Sequence, residues 1–231
     1  SRLLWASSRE PSRERRWETL ELDAGAIRKQ LAHQAEIRLN DVLAGVCLVS
    51  MAEWNRQNGA SSKGLALWHP VNIRQDAFEG FGNGSSRVRL YWKEADEPWE
   101  WARMVRRQMD WSKQNGEWHV PKSVLFRSPA WLRRPLVRAV LRRPWVDMGS
   151  MLFSHMERQG PFGERLLGWA ERVEWVGMLD RRFPAGFVGA SHGDQTWLTL
   201  CWDPALWSQD DAERFLSIYR EHLRMFLEAC P

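Results

Sequence analysis

Cysteine is scarce and unpaired in this sequence. Cys47, Cys201 and Cys230 are an odd number, far apart, with no CxxC among them. Cys47 and Cys201 lie inside apolar runs and read as buried small hydrophobes, which suits a reducing compartment. No two histidines stand four apart and no cysteines cluster, so no metal-ligand spacing is present. Also lacking is any apolar run long enough to cross a bilayer, or a signal-like hydrophobic stretch near the start. There are no internal repeats and no low-complexity tracts. These absences leave an ordinary globular chain.

The bulk numbers agree. With 231 residues, 44% hydrophobic and 27% charged, the chain is long enough for one large domain or two small ones around a substantial core. Its 16 tryptophans are unusual for this length and point to partly lined grooves as well as core, or to a sheet surface or lobe interface. The net charge of +4 is mild and no nucleic-acid partner is expected, although such binding would want a concentrated basic stripe and one stretch qualifies by density. One stretch is densely basic: Lys122, Arg127, Arg133, Arg134, Arg138, Arg142 and Arg143 lie between Pro121 and Trp145 with no acid among them. Its interleaved Val, Leu, Phe and Trp make it amphipathic. It is either a solvated helix on the domain edge or a surface that rests on an anionic membrane or an acidic protein.

Periodicity orders the rest. Residues 1–16 are Ser- and Arg-rich and read as a linker from something upstream, since the chain opens on Ser1. A strand is expected at 17–23, a short helix at 24–34, and a long, nearly all-round apolar helix from Asn40 to about Gln57. Asn40 or Asp41 would cap that helix and Gly59 follows its end. Strands follow at 64–74, which a His-Pro interrupts, and at 86–92. A helix spans Pro98–Gln114. Strands then come at 150–155, 171–179, 186–191 and 195–202, the last pair joined by a hairpin at "HGDQ". The closing helix opens on a Ser208–Asp211 capping box. The class is α/β, with a mixed sheet flanked by helices.

Three short motifs occur in order: Asn40-Asp41-Val42 at a helix start, Pro70-Val71-Asn72-Ile73-Arg74 on a strand, and Gly82-Asn83 in a loop. A Ser154-His155 pair ends a later strand. Across residues 17–231 this order resembles the C-terminal lobe of the condensation-domain and wax ester synthase superfamily, a chloramphenicol acetyltransferase-like fold. The resemblance implies an acyltransferase that forms an ester or an amide from acyl-CoA or acyl-phosphopantetheine as co-substrate, with no bound cofactor. It places Asn40, Asp41, Arg74, Asn83, Ser154 and His155 along one wall of a tunnel between two lobes. Each also has a plain structural reading: capping for Asn40 and Asp41, an ion pair for Arg74, a sharp turn for Asn83, a surface strand end for His155. His69 reads equally as a satisfied core group.

The departure from the family is large. Relatives carry an H-H-x-x-x-D-G run in the N-terminal lobe, and its second His is the general base on the acceptor. Here the six histidines are isolated from one another, and "SHGDQ" (191–195) is too compressed to be that run. The expected partner is therefore an N-terminal lobe, as a separate chain or a cleaved half, and this chain alone is expected to be inactive. The expected setting is cytoplasmic, with peripheral contact at the inner membrane as one option. The alternative is a non-catalytic condensation-like module that binds an acyl carrier protein or a membrane through 121–145.

Overall fold

A computed structural model describes residues 12, 14–72, 85–116, 129, 131–132, 135, 150–157, 175–177 and 183–229. Arg74, Gly82, Asn83 and Cys230 lie outside them, as does all of the basic 121–145 segment except Pro129, Trp131, Leu132 and Pro135.

Six strands form one sheet: β1 (Arg16–Asp23), β2 (Ala66–Asn72), β3 (Ser85–Tyr91), β4 (Met151–Met156), β5 (Ala185–His192) and β6 (Gln195–Trp202), ordered β1-β6-β5-β4-β2-β3. β2, β4 and β5 run parallel, whereas β3 and β6 run against their neighbours. The helices are α1 (Ala24–Leu31), α2 (Leu39–Gln57), α3 (Pro98–Gln114) and α4 (Gln209–Glu228). The expected strand at 171–179 falls mostly outside the described residues, and its described part, 175–177, is not extended into the sheet.

α2 is central because its sequence leaves it no polar face. Val42, Leu43, Val46, Cys47, Leu48, Met51 and Trp54 are all essentially inaccessible. It packs on α3, α4 and β2. At Gly45 the approach to α3 is so close that a Cβ would stand 2.8 Å from the backbone of Trp101. Much of the tryptophan goes into this core. Trp54 meets Trp207 at 4.9 Å and Phe215 at 6.0 Å, and Trp99 meets Phe226 at 4.6 Å. Trp17, Trp111 and Trp131 remain exposed.

The ends of elements follow local chemistry. Ser208 accepts from the Asp211 N–H while Asp211 accepts from the Ser208 N–H, the reciprocal box that the sequence predicts. Gly193 takes a φ of +54° in the two-residue β5–β6 turn. The end of the expected linker is held down: Ser12 Oγ donates to Asp203 Oδ1 at 2.7 Å, and Arg15 Nη1 lies 3.1 Å from Asp203 Oδ2.

Candidate functional site

Side chains alternate across a strand, so Ser154 and His155 point to opposite faces of β4. Ser154 is half-buried on the face opposite the core. His155, expected as a surface group, is instead 7% exposed and faces the helices with Met151 and Phe153. The strand continues past it to Met156, which is exposed.

His155 is a junction. Its Nδ1 bonds the Oδ1 of Asn40 in the first turn of α2, and its Nε2 lies 3.0 Å from Ser191 Oγ on β5. Ser191 Oγ bonds in turn to Thr196 Oγ1 on β6. Four side chains from four elements thus form one buried polar chain near the C-terminal ends of the parallel strands β4 and β5. In open α/β sheets that is the end where ligands bind.

Capping of α2 differs from expectation. Arg38, in extended backbone, is the N-cap residue, and Asn40 and Asp41 are already inside the helix. Asp41 still serves the helix end, accepting the Arg38 N–H at 2.9 Å, and lies 3.7 Å from Arg106 Nη1 on α3. Burial raises its carboxyl pKa above the usual value, and the Arg38 N–H and Arg106 pull it back only in part. Asp41 is therefore a buried clamp between α2 and α3, whereas Asn40, half-buried beside it, turns its side chain to His155.

His69 is also inside, with its Nδ1–H donating to the Phe153 carbonyl at 3.1 Å and its ring stacked on Phe153. Burial lowers the pKa of both histidines to about 4; for His155 the His69 and Arg28 charges add to it. Both are neutral at physiological pH and poor proton acceptors there. Ser191, His155 and Asn40 stand in the order nucleophile, base and orienter. Ser191 is only 4% exposed and its oxygen is engaged by His155 and Thr196, which disfavours attack on a carbonyl.

The structure thus brings Asn40 and His155 together, sends the Asp41 side chain to Arg38 and Arg106 instead, and sets Ser154 apart, with Arg74 and Asn83 outside the described residues. Sequence reasoning missed Ser191 and Thr196, taking "SHGDQ" as a turn alone. The signal was present: two hydroxyl residues flank the hairpin at facing positions, on the same side of the sheet as apolar Phe187, Leu198 and Leu200. Among the described residues no group of three His, Cys, Asp or Glu is arranged to hold a metal ion, and no helix is long and apolar enough to cross a membrane.

No family model and no curated protein matches the sequence. Solved structures do. The condensation domain of the Monacolin K polyketide synthase MokA superposes with a TM-score of 0.67 at 12% identity, over 100% of this chain and 53% of that one. The wax ester synthase/diacylglycerol acyltransferase from Marinobacter aquaeolei VT8 gives 0.65 at 16%, over 99% and 52%. The X-domain from teicoplanin biosynthesis, also solved in complex with OxyB, gives 0.63 at 16%, over 99% and 51%. The chain spans about half the length of each. Its fold, a mixed sheet flanked by helices, is the one that about half of each of these structures shares.

Proposed function

We propose that the chain is the C-terminal lobe of an acyltransferase that makes an ester or amide from acyl-CoA or an acyl carrier protein, and that it builds one wall of the tunnel. The observation that carries this is the match of essentially the whole chain to half of a wax ester synthase/diacylglycerol acyltransferase and half of a condensation domain. The site chemistry supports it. Neutral, buried His69 and His155 are unsuited to deprotonate an acceptor, so the base comes from a complementary lobe, while this lobe contributes fixed hydrogen-bonding groups. Asn40 lines the tunnel, Asp41 and His155 hold it in place, and Ser154 opens onto the other face. Arg74 and Asn83 are proposed tunnel residues on the strength of their motifs.

The test is co-expression with an N-terminal lobe bearing H-H-x-x-x-D-G, followed by an acyl-transfer assay with acyl-CoA and an alcohol or amine acceptor. Turnover by the complex is expected. A stable complex with no turnover overturns the reading.

A second reading has one specific observation behind it: the X-domain, of the same fold, is solved in complex with the protein OxyB. On that reading the chain is a docking module that uses its basic 121–145 segment. Arg138→Glu with Arg142→Glu would then abolish binding to acyl carrier protein or to anionic vesicles, and unchanged binding to both removes the docking reading.

A further inference from the structure

Asp203 carries a buried charge that a short polar strap satisfies. The residue stands just past β6 and is fully buried. Its carboxylate accepts from the Ser12 N–H at 2.8 Å, the Ser12 hydroxyl at 2.7 Å, Arg15 Nη1 at 3.1 Å and the Ala205 N–H at 2.9 Å. The Arg15 guanidinium also donates to the Ser12 carbonyl at 3.2 Å. Residues 12–15 are thus tied down, ahead of β1, chiefly through one carboxylate.

Ser12 is half-buried, and none of Ser12, Glu14 and Arg15 is an apolar residue, so the strap is held by polar contacts that water can replace. Asp203 has a second task that does not need the strap. Its Oδ1 accepts the Ala205 N–H, and its carbonyl accepts from Leu206 and Trp207 in the turn before α4. The strap can therefore open while the turn beneath it stays formed. In the sequence, Ser12 has Arg9 three residues before it and Arg13, Arg15 and Arg16 after it. That charge pattern suits an enzyme with an acidic substrate groove. Ser217 also stands three residues after an arginine, Arg214, but it lies inside α4 with its hydroxyl bonded to the Glu213 carbonyl.

We propose that Ser12 is a phosphorylation site for an arginine-directed serine kinase, and that the phosphate releases residues 12–15 from Asp203. The step joins the γ-phosphoryl group of a nucleoside triphosphate to Ser12 Oγ; the hydroxyl proton is lost and the nucleoside diphosphate leaves. Modification removes the hydrogen that Ser12 gives to Asp203 and brings about −1.5 to −2 charge to the same spot. Two anions then compete for Arg15, one of them a carboxylate out of water, and their repulsion favours separation. Opening exposes both to solvent. The proposal stands apart from the acyl-transfer reading and does not need it.

The 231-residue chain, folded, is treated with ATP and the catalytic subunit of cyclic-AMP-dependent protein kinase. Mass spectrometry maps the phosphate and NMR follows backbone amide exchange. Ser12 is expected to take the phosphate, and Ser217, held in α4, is expected to stay unmodified. The Ser12 and Glu14 amides, which donate to Asp203 Oδ2 and Ser12 Oγ, are expected to exchange about tenfold faster after modification. Asp203→Asn removes the buried charge, so there the same phosphate should change exchange by no more than about twofold. A folded chain that takes no phosphate on Ser12 overturns the site. Phosphate on Ser12 with unchanged exchange overturns the release. An equal rise in Asp203→Asn shows that the phosphate does not act through that carboxylate and overturns the mechanism.

Discussion

His155 and His69 are weak bases in the fold and ordinary ones in the unfolded chain, and that difference sets a pH dependence. Folded, both titrate near 4; unfolded, near 6.5. Between those values the unfolded chain binds more protons. The stability they contribute is thus fully present above 6.5 and is lost as pH falls through 4, by about 3 kcal/mol each at most. Thermal unfolding is expected to show Tm falling from pH 7 to pH 4. In His155→Asn, which keeps a donor toward Asn40 but cannot protonate, the fall should be shallower. An unchanged slope would mean that His155 already titrates normally in the fold. Asp41 has the opposite sign. Its folded pKa is raised, so its contribution is greatest below 3.8 and is lost as pH climbs through the raised value. Asp41→Asn keeps an acceptor for the Arg38 N–H, and its stability relative to wild type should rise between pH 3 and pH 7 in the same unfolding series.

At the level of elements, α2 is held by closeness to α3 as much as by apolar area. A methyl at Gly45 would enter the backbone of Trp101, which leaves no side chain free to rotate aside. Gly45→Ala is expected to cost about 1–3 kcal/mol, by helix displacement rather than by lost contact, as read from denaturant midpoints. Ser208→Ala removes one half of a reciprocal cap on α4 and should cost about 1 kcal/mol. Elements of this kind were legible in the sequence. The all-round hydrophobicity of α2, the alternation of Val88 and Leu90 against Arg87 and Arg89, and the Ser208–Asp211 spacing each encode their own structure within a few residues. The cap of α2 was not legible, because Asn40 and Asp41 are both good cap residues and only tertiary contacts send one to His155 and the other to Arg106. Burial of His155 escaped for a similar reason. A histidine near a strand end looks solvent-facing until α2 is known to lie across it, and its partner Ser191, with Thr196 bonded to that serine, is 36 residues further along the chain.

For the whole molecule, order counted for more than any single motif. Asn-Asp-Val, Pro-Val-Asn-Ile-Arg and Gly-Asn are each too short to identify a fold, but their sequence along the chain pointed to the fold that about half of each solved structure shares. Much of that likeness lies in topology, since identities of 12–16% leave few shared side chains to compare. The account's central claim is a division of labour: this half positions, and another half takes the proton. Purified chain assayed alone with acyl-CoA and an alcohol or amine acceptor tests it most directly. The account predicts no turnover above the uncatalysed rate until the complementary lobe is added. Turnover by the chain alone that disappears in His155→Ala would place the base here and contradict it.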